Sequence, residues 1–409
     1  MTLRQTLFAA CLVVLMVGCA LESDDSQEVS SAPAGEKGLN RREVLGKRLF
    51  DDTNLSVPTG TSCGSCHSPT RAFAGNNGSV SGVPKGSTGV LGLRNSPSIM
   101  YGSFTPTFAL VADGGGFTPT GGQFLDGRVD TLSEQAKAPL LSPDEMNNPD
   151  AASVVAKVAV STYAELFKQE WGSDIFTRTD EAFEAIAQSL QAFERNAVFH
   201  PFSSRYDEYL RGRDTFTASE RRGMSAFFNP AKGNCAGCHA ADPRDSNPRS
   251  SLFTDFTYDN LGVPRNDAIP ANADPAFFDL GLGGPKRALP NGDASLKGAF
   301  KVPTLRNVAV KEALFHNGVF TNLDDLVDFY VTRDTDPGRW FPSGQKFNDL
   351  PVALHGNVNT TEAPYDRRLG DAPRLTESER RDLVDFLRTL TDREFEGLLP
   401  PPMPAPRPQ

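Results

Sequence analysis

The chain has 409 residues, a formal net charge of −10 and no cluster of basic residues. That balance argues against a nucleic-acid surface and suits a basic redox partner. After the first twenty residues no uninterrupted apolar stretch is long enough to span a bilayer, so any tie to a membrane is confined to the N-terminus.

Residues 1–18 read as an export signal: Arg4 is the positive region, Leu7 to Val17 the apolar run, and Met16-Val17-Gly18-Cys19 resembles a bacterial lipoprotein cleavage box. Cys19 is read as the lipid attachment point, with ordinary cleavage near Ala20 as the alternative. Either outcome places the mature protein in a bacterial periplasm. Residues 19–38 are rich in Ser, Glu, Asp and Ala without periodic apolar positions, and are expected to form a flexible tether.

Leu45-Gly46-Lys47-Arg48-Leu49-Phe50 reads as the end of a short helix that delivers the chain to Cys63-Gly64-Ser65-Cys66-His67. The following stretch, Ser68 to Gly122, is rich in Gly and Pro and lacks helical periodicity; loops of that length usually build a site. Helical patterns then occupy residues 151–160, 162–171 and 179–196, the last with Phe183, Ile186, Leu190 and Phe193 on one face. A boundary is expected near residue 205, dividing a unit over 39–205 from one over 206–393.

The second unit repeats the pattern. Thr217 and Glu220 form a capping box, Gly223-Met224-Ser225-Ala226-Phe227-Phe228 ends the helix, and Cys235-Ala236-Gly237-Cys238-His239 follows. A second Gly- and Pro-rich stretch covers Ala240 to Gly298. Leu323, Leu326, Val327 and Tyr330 then share a helix face, and a capping box of Thr376 with Glu379 opens an amphipathic helix carrying Leu383, Val384, Phe386, Leu387 and Leu390. Residues 394–409 are expected to be a Pro-rich disordered tail.

Each Cys-x-x-Cys-His places two thiols one short turn apart, spaced to add to the vinyl groups of one porphyrin, with the next imidazole turned onto the iron. Zinc knuckles or redox dithiols are the alternatives, but zinc requires further Cys or His nearby, and neither motif has them. The only cysteines outside the motifs are Cys11 and Cys19. Two covalent haem c groups are therefore expected.

Further motifs in fixed order carry a resemblance: Arg94-Asn95-Ser96-Pro97, Gln123-Phe124-Leu125-Asp126-Gly127-Arg128, Glu134-Gln135-Ala136, Ser142-Pro143-Asp144-Glu145-Met146, Val302-Pro303-Thr304-Leu305-Arg306-Asn307 and His316-Asn317-Gly318. From about Arg41 to Leu390 the chain resembles the bacterial di-haem cytochrome c peroxidase and MauG superfamily. The resemblance implies a mainly α fold of two cytochrome c-like haem domains with long Gly/Pro-rich loops, a peroxidatic N-terminal haem and a six-coordinate C-terminal haem. It places Gln135 and Glu145 in the distal pocket of the first haem, and a calcium ion between the haems on Asn95 and the main-chain carbonyls of Lys311 and Ala313.

Five histidines exist, and none lies between His67 and His200. The segment that in many members supplies a removable sixth ligand, here Ser68 to Leu93, has none to offer, so the first haem is expected to be five-coordinate. Met100 and Met146 are the nearby thioethers, and the resemblance places neither on the iron. For the second haem no Met lies between Met224 and Met403, and Tyr330 stands where the family places the ligand. A phenolate there would favour oxidised iron; a core tyrosine with a bonded hydroxyl is the plainer alternative. His316 is expected to support rather than ligate, and His200 and His355 are expected at the surface.

One departure matters. Where the family commonly has Trp between the haems this chain has Leu125, so an oxidisable stepping stone is absent there and Tyr101, Phe104 or Phe124 are candidates to replace it. Two enzymatic readings follow: reduction of hydrogen peroxide with electrons from a small cytochrome c or cupredoxin, and MauG-like oxidation of a Trp or Tyr side chain in a partner protein. A non-catalytic electron carrier is the third reading.

Overall fold

The computed structural model describes residues 36–401 apart from 76, 77, 80, 81, 115, 288 and 290–292. The expected export signal, Cys19 and the last residues of the tail lie outside the described residues. Helices dominate, and among the described residues the strands form two small antiparallel pairs. No helix among them is long and apolar enough to cross a membrane.

Helix α1 (Arg41–Asp51) starts at a capping box of Asn40 with Glu43. The short turn α2 (Cys63–Cys66) carries the first haem motif. Then come α3 (Leu132–Leu141), α4 (Ala151–Ala159), α5 (Ala164–Trp171) and α6 (Thr179–Glu194). Leu45, Leu49 and Phe50 of α1 are buried with Ile186, Leu190 and Phe193 of α6 in one core, which also takes in Val154 and Val158 of α4 and Phe167 of α5. Short α7 (Arg205–Leu210) leads to α8 (Ala218–Phe228), α9 (Leu323–Thr332), α10 (Pro337–Trp340) and α11 (Glu377–Arg388). The expected boxes at Thr217 and Thr376 both close, each hydroxyl accepting from the N3 amide while the N3 carboxylate returns to the cap. A second core gathers Phe227 of α8, Val327 and Phe329 of α9, and Leu383, Phe386 and Leu387 of α11.

The two cores use the same helix crossing. Gly46 of α1 lets its backbone rest on α6, where an added Cβ would fall 2.0 Å from the Ser189 carbonyl oxygen and 2.7 Å from Phe193 Cβ. Gly223 of α8 does the same on α11, with 1.8 Å to the Asp382 carbonyl oxygen and 2.9 Å to Phe386 Cβ. In each case the small residue brings the helix preceding a haem motif into contact with the helix that closes its unit.

Strands β1 (Ala109–Asp113) and β2 (Gly116–Thr120) make a hairpin that pairs Ala109 with Thr120. This hairpin was not legible within the Gly- and Pro-rich stretch. Strands β3 (Tyr258–Asp259) and β4 (Phe300–Lys301) form the other pair, and a bridge from Thr120 to Thr257 links the two sheets.

Two boundaries and the setting of two histidines differ from the sequence reading. Glu36 is 8% exposed and binds Arg48 through two bonds of 2.8 and 2.9 Å, so the fold begins inside the expected tether. At the other end Arg393–Leu398 is a 3-10 turn with Phe395 buried in the first core, so the fold runs past residue 394. His200 and His355 are half-buried rather than on the surface: His200 lies edge-on to Phe104 at 5.3 Å, and His355 Nε2 approaches the Leu350 carbonyl at 3.2 Å.

Candidate functional site

Two cavities carry the two Cys-x-x-Cys-His motifs. The first, of about 790 Å³, is lined by Cys63, Cys66 and His67, by Gln135 of α3 and by Glu145. The second is lined by Cys235, Cys238 and His239, by the Leu323, Leu326, Val327 and Tyr330 face of α9, and by Leu383 and Leu387 of α11. The long loops supply the rest, including Asn95, Pro97 and Met100 on the first and Asn260 to Val263 on the second.

Each motif folds into a tight turn in which the His amide donates to the first Cys carbonyl at 2.8 Å. That turn carries both cysteines and the imidazole onto one cavity wall. His67 Nδ1 meets the Phe73 carbonyl at 3.2 Å, and His239 Nδ1 meets the carbonyls of Phe253 and Pro303, each at 3.1 Å. A carbonyl can only accept, so Nδ1 carries the proton and Nε2 keeps its lone pair. Burial pushes both imidazoles below their ordinary pKa, which holds them neutral. None of the four cysteines is spent in a disulfide. Neutral imidazoles with fixed tautomers beside paired thiols, on cavities walled by apolar side chains, fit a covalently held haem at each motif.

In the first cavity His67 is the only histidine on the wall among the described residues. Met100 and Met146 are also there, both buried; the Met100 sulfur accepts from Asn307 Nδ2 at 3.4 Å, and Met146 packs into the first core. The Glu145 carboxyl opens onto the cavity, and the surrounding protein raises its pKa. The Arg128 cation opposes that rise, helped by a hydrogen bond from Ser142 and by Lys286. Arg128 is itself placed by Asp126 at 3.0 Å and lies 3.4 Å from the Phe124 ring centroid.

In the second cavity Tyr330 is enclosed, and burial pushes its phenol well above the ordinary pKa. Its ring stacks on Phe315 at 5.6 Å, and among the described residues nothing hydrogen-bonds its hydroxyl. Tyr365, which carries no recognisable motif, lies 5.9 Å from Tyr330 on the same wall with the Arg333 guanidinium 4.4 Å over its ring. His316 also lines this cavity; its Nε2 is engaged by Asp349 at 3.2 Å and its ring stacks on Phe300 at 3.7 Å. Cys238 lies with Asp259 and Glu362 in a cluster of metal-ligand type, but its sulfur is already allotted to the haem motif.

Leu125 lines both cavities, as do Asn95, Asp279, Lys301 and Lys311, which form the partition between them. Tyr101 and Phe124 lie on the first cavity alone, and Phe104 on neither. Trp171 and Trp340 are also off both walls, bonded to Ser189 at 3.2 Å and Thr332 at 2.9 Å. None of the aromatic candidates for a stepping stone therefore stands on the partition. Lys301 was not singled out from sequence and Lys311 only for its main-chain carbonyl, since the side chain of a lone Lys in a loop carries no pattern; burial lowers the two pKa values to about 7 and about 8.

Asn95 does reach Ala313, but as a donor: its Nδ2 bonds the Ala313 carbonyl at 2.9 Å and the Phe315 carbonyl at 3.3 Å. The residues expected to hold calcium are thus neighbours, and the Asn95 amide must turn over before Oδ1 stands beside the Ala313 carbonyl as a second hard oxygen.

Comparison with known proteins settles the family. A methylamine utilization protein MauG from Paracoccus denitrificans is 37% identical over 369 residues, 87% of this chain and 90% of that one. The chain belongs to the MauG and di-haem cytochrome c peroxidase family. The family model for di-haem cytochrome c peroxidase matches residues 40–215. The crystal structure of the diheme peroxidase BthA from Burkholderia thailandensis superposes with a TM-score of 0.85 at 43% identity, covering 90% of each chain. A cytochrome c551 peroxidase from Pseudomonas aeruginosa is 27% identical over 307 residues, 72% of each chain. Membership makes the protein an oxidoreductase with two haem c groups.

Proposed function

We propose that this member is an exported peroxidase that reduces hydrogen peroxide to water at the first site, with electrons delivered by a small cytochrome c or cupredoxin through the second. Each haem, when bound, supplies the iron redox chemistry. One observation carries the reading: among the described residues the first cavity offers a single imidazole, His67, while its wall also holds an amide and a carboxyl, Gln135 and Glu145. The second cavity instead holds His239 and the inward phenol of Tyr330, a pair able to cap one metal from both sides.

Glu145 in its ionised form takes the proton of the near peroxide oxygen, and in its protonated form returns it to the far oxygen so that water can leave. A raised pKa suits that shuttle, because the carboxyl must hold the proton between the two transfers. Gln135 orients the bound oxygen species through its amide. The Arg128 cation favours the ionised form of Glu145. Stopped-flow mixing of the reconstituted holoprotein with hydrogen peroxide tests the reading, together with electron paramagnetic resonance of the resting protein. One high-spin and one low-spin ferric signal, and turnover with a reduced donor, are expected. Two low-spin signals without turnover would leave only an electron carrier.

A second reading, oxidation of a partner's Trp or Tyr, is favoured by the phenol of Tyr330 in the second cavity and by the 37% identity to MauG. Mass spectrometry of exported partner proteins after peroxide treatment should then show added oxygen or cross-links. We also infer a calcium ion at Asn95, Ala313 and the Lys311 carbonyl, supported by the contact of Asn95 with Ala313. Chelation with EGTA should alter both haem signals, and added calcium should restore them. Export to the periplasm and lipid attachment at Cys19 complete the proposal; labelled palmitate in cells checks the lipid.

A further inference from the structure

Tyr101 lies on the wall of the first cavity and is 2% exposed. Its backbone is held at a φ of +61°, and its amide donates to the Phe199 carbonyl at 2.8 Å. Packing alone would be served as well by phenylalanine, so the hydroxyl is the informative part. It donates to both carboxylate oxygens of Asp392 at 2.9 Å and accepts from the Phe202 amide at 3.1 Å.

Asp392 is fully buried. Among the described residues its partners are neutral donors: Tyr101, Asn307 Nδ2 at 2.8 Å, and the amide and hydroxyl of Ser203 at 3.1 and 3.3 Å. Both of its oxygens therefore stand within hydrogen-bond reach of the phenol, in line to receive the phenolic proton. On the ring face the Arg306 guanidinium stands 4.8 Å from the Tyr101 centroid, itself bound to Asp207 at 2.9 and 3.0 Å. That cation penalises a positively charged ring, so an electron can leave Tyr101 cheaply only if the phenolic proton leaves with it. Among the described residues the base that this hydroxyl meets is Asp392.

We propose that Tyr101 is a one-electron relay beside the first haem, with Asp392 as its proton acceptor. The inference rests on the peroxidase reading, because the oxidant is the haem after it has reacted with hydrogen peroxide. One electron passes from the Tyr101 ring to that haem, which is reduced by one equivalent. The phenolic O–H bond breaks and an O–H bond forms on the Asp392 carboxylate. When an electron arrives from the donor the ring is refilled and the same proton returns. Burial keeps water from the radical, and the contacts of Tyr101 with Phe202 at 5.0 Å and Phe104 at 6.5 Å continue toward half-buried His200. Tyr101 thus connects to rings that, like His200, line neither cavity. In the competing account the same hydroxyl only pins Asp392 and the Phe202 amide.

The test is rapid freeze-quench electron paramagnetic resonance of the holoprotein mixed with hydrogen peroxide, with haem absorbance followed in parallel. A tyrosyl signal is expected that narrows when the protein is grown on ring-deuterated tyrosine and is lost in Tyr101→Phe. After exchange into heavy water the wild-type radical should couple to two exchangeable deuterons, one on Asp392 and one on the Phe202 amide, a measurement that needs no variant, and Asp392→Ala should lose the first and keep the second. A haem that responds to peroxide without any tyrosyl signal overturns the relay and leaves the peroxidase reading standing. So does a signal of wild-type yield in Tyr101→Phe, or a wild-type radical whose exchangeable coupling is the Phe202 amide alone. A haem absorbance indifferent to peroxide overturns the peroxidase reading, and the relay with it.

Discussion

Gly46 and Ser189 touch backbone to backbone: a methyl group on Gly46 would sit 2.0 Å from the Ser189 carbonyl oxygen. Nothing flexible can move aside there, because the obstacle is main chain inside a helix. Gly46→Ala should therefore part α1 from α6, at a cost of about 1–3 kcal/mol or more, the range for overpacked sites. Gly223→Ala should do the same between α8 and α11. Denaturant unfolding and the haem content of the purified variants check both; wild-type values for either would show that the helices slide freely.

Glu145→Gln keeps the shape of the first cavity and removes the proton carrier. The rate of the reaction with peroxide should fall by about 10²–10⁴-fold, the usual range for a positioned acid–base group. Since the ionised carboxylate starts the shuttle and desolvation by the surrounding protein raises its pKa, the wild-type rate should climb as pH rises through that pKa. The variant should lack that inflection. Stopped-flow rates against pH give both results.

Tyr330→Phe deletes one oxygen from the second cavity. If that oxygen is the metal ligand, only the low-spin signal should change and the high-spin signal of the first haem should persist. The Tyr330 hydroxyl has no hydrogen-bond partner among the described residues, so the loss in stability should be small. Thermal unfolding and electron paramagnetic resonance of the same sample separate the two effects.

Glu194, at the end of α6 on the first cavity wall, is 8% exposed, and burial raises its pKa to about 8. The folded chain keeps this proton while the unfolded chain releases it above the ordinary value of 4.5. The penalty on folding is absent below that value, grows as pH rises through the window up to about 8, and stays constant above it. Glu194→Gln should flatten this decline, as read from denaturant midpoints across the same pH range.

Local pattern alone determined the covalent chemistry and much of the helical skeleton. Cys63-x-x-Cys66-His67 and Cys235-x-x-Cys238-His239 are contiguous, so their chemistry follows from a single turn of chain; the boxes at Thr217 and Thr376 span only three residues; and the 3.6-residue period of Phe183 to Phe193 marks the buried face of α6. Assigning roles to Gln135, Glu145 and Tyr330 needed family resemblance, because a helical period shows which face a residue shares and not the chemistry it performs. Only the tertiary structure could show that Lys301 and Lys311 stand on the partition, that Phe104 misses both cavities, that Asn95 donates to Ala313, and that Tyr101 meets Asp392 across 291 residues of sequence. Those relations depend on long loops without periodicity, whose course is set by the burial and hydrogen bonding of residues far apart in the chain.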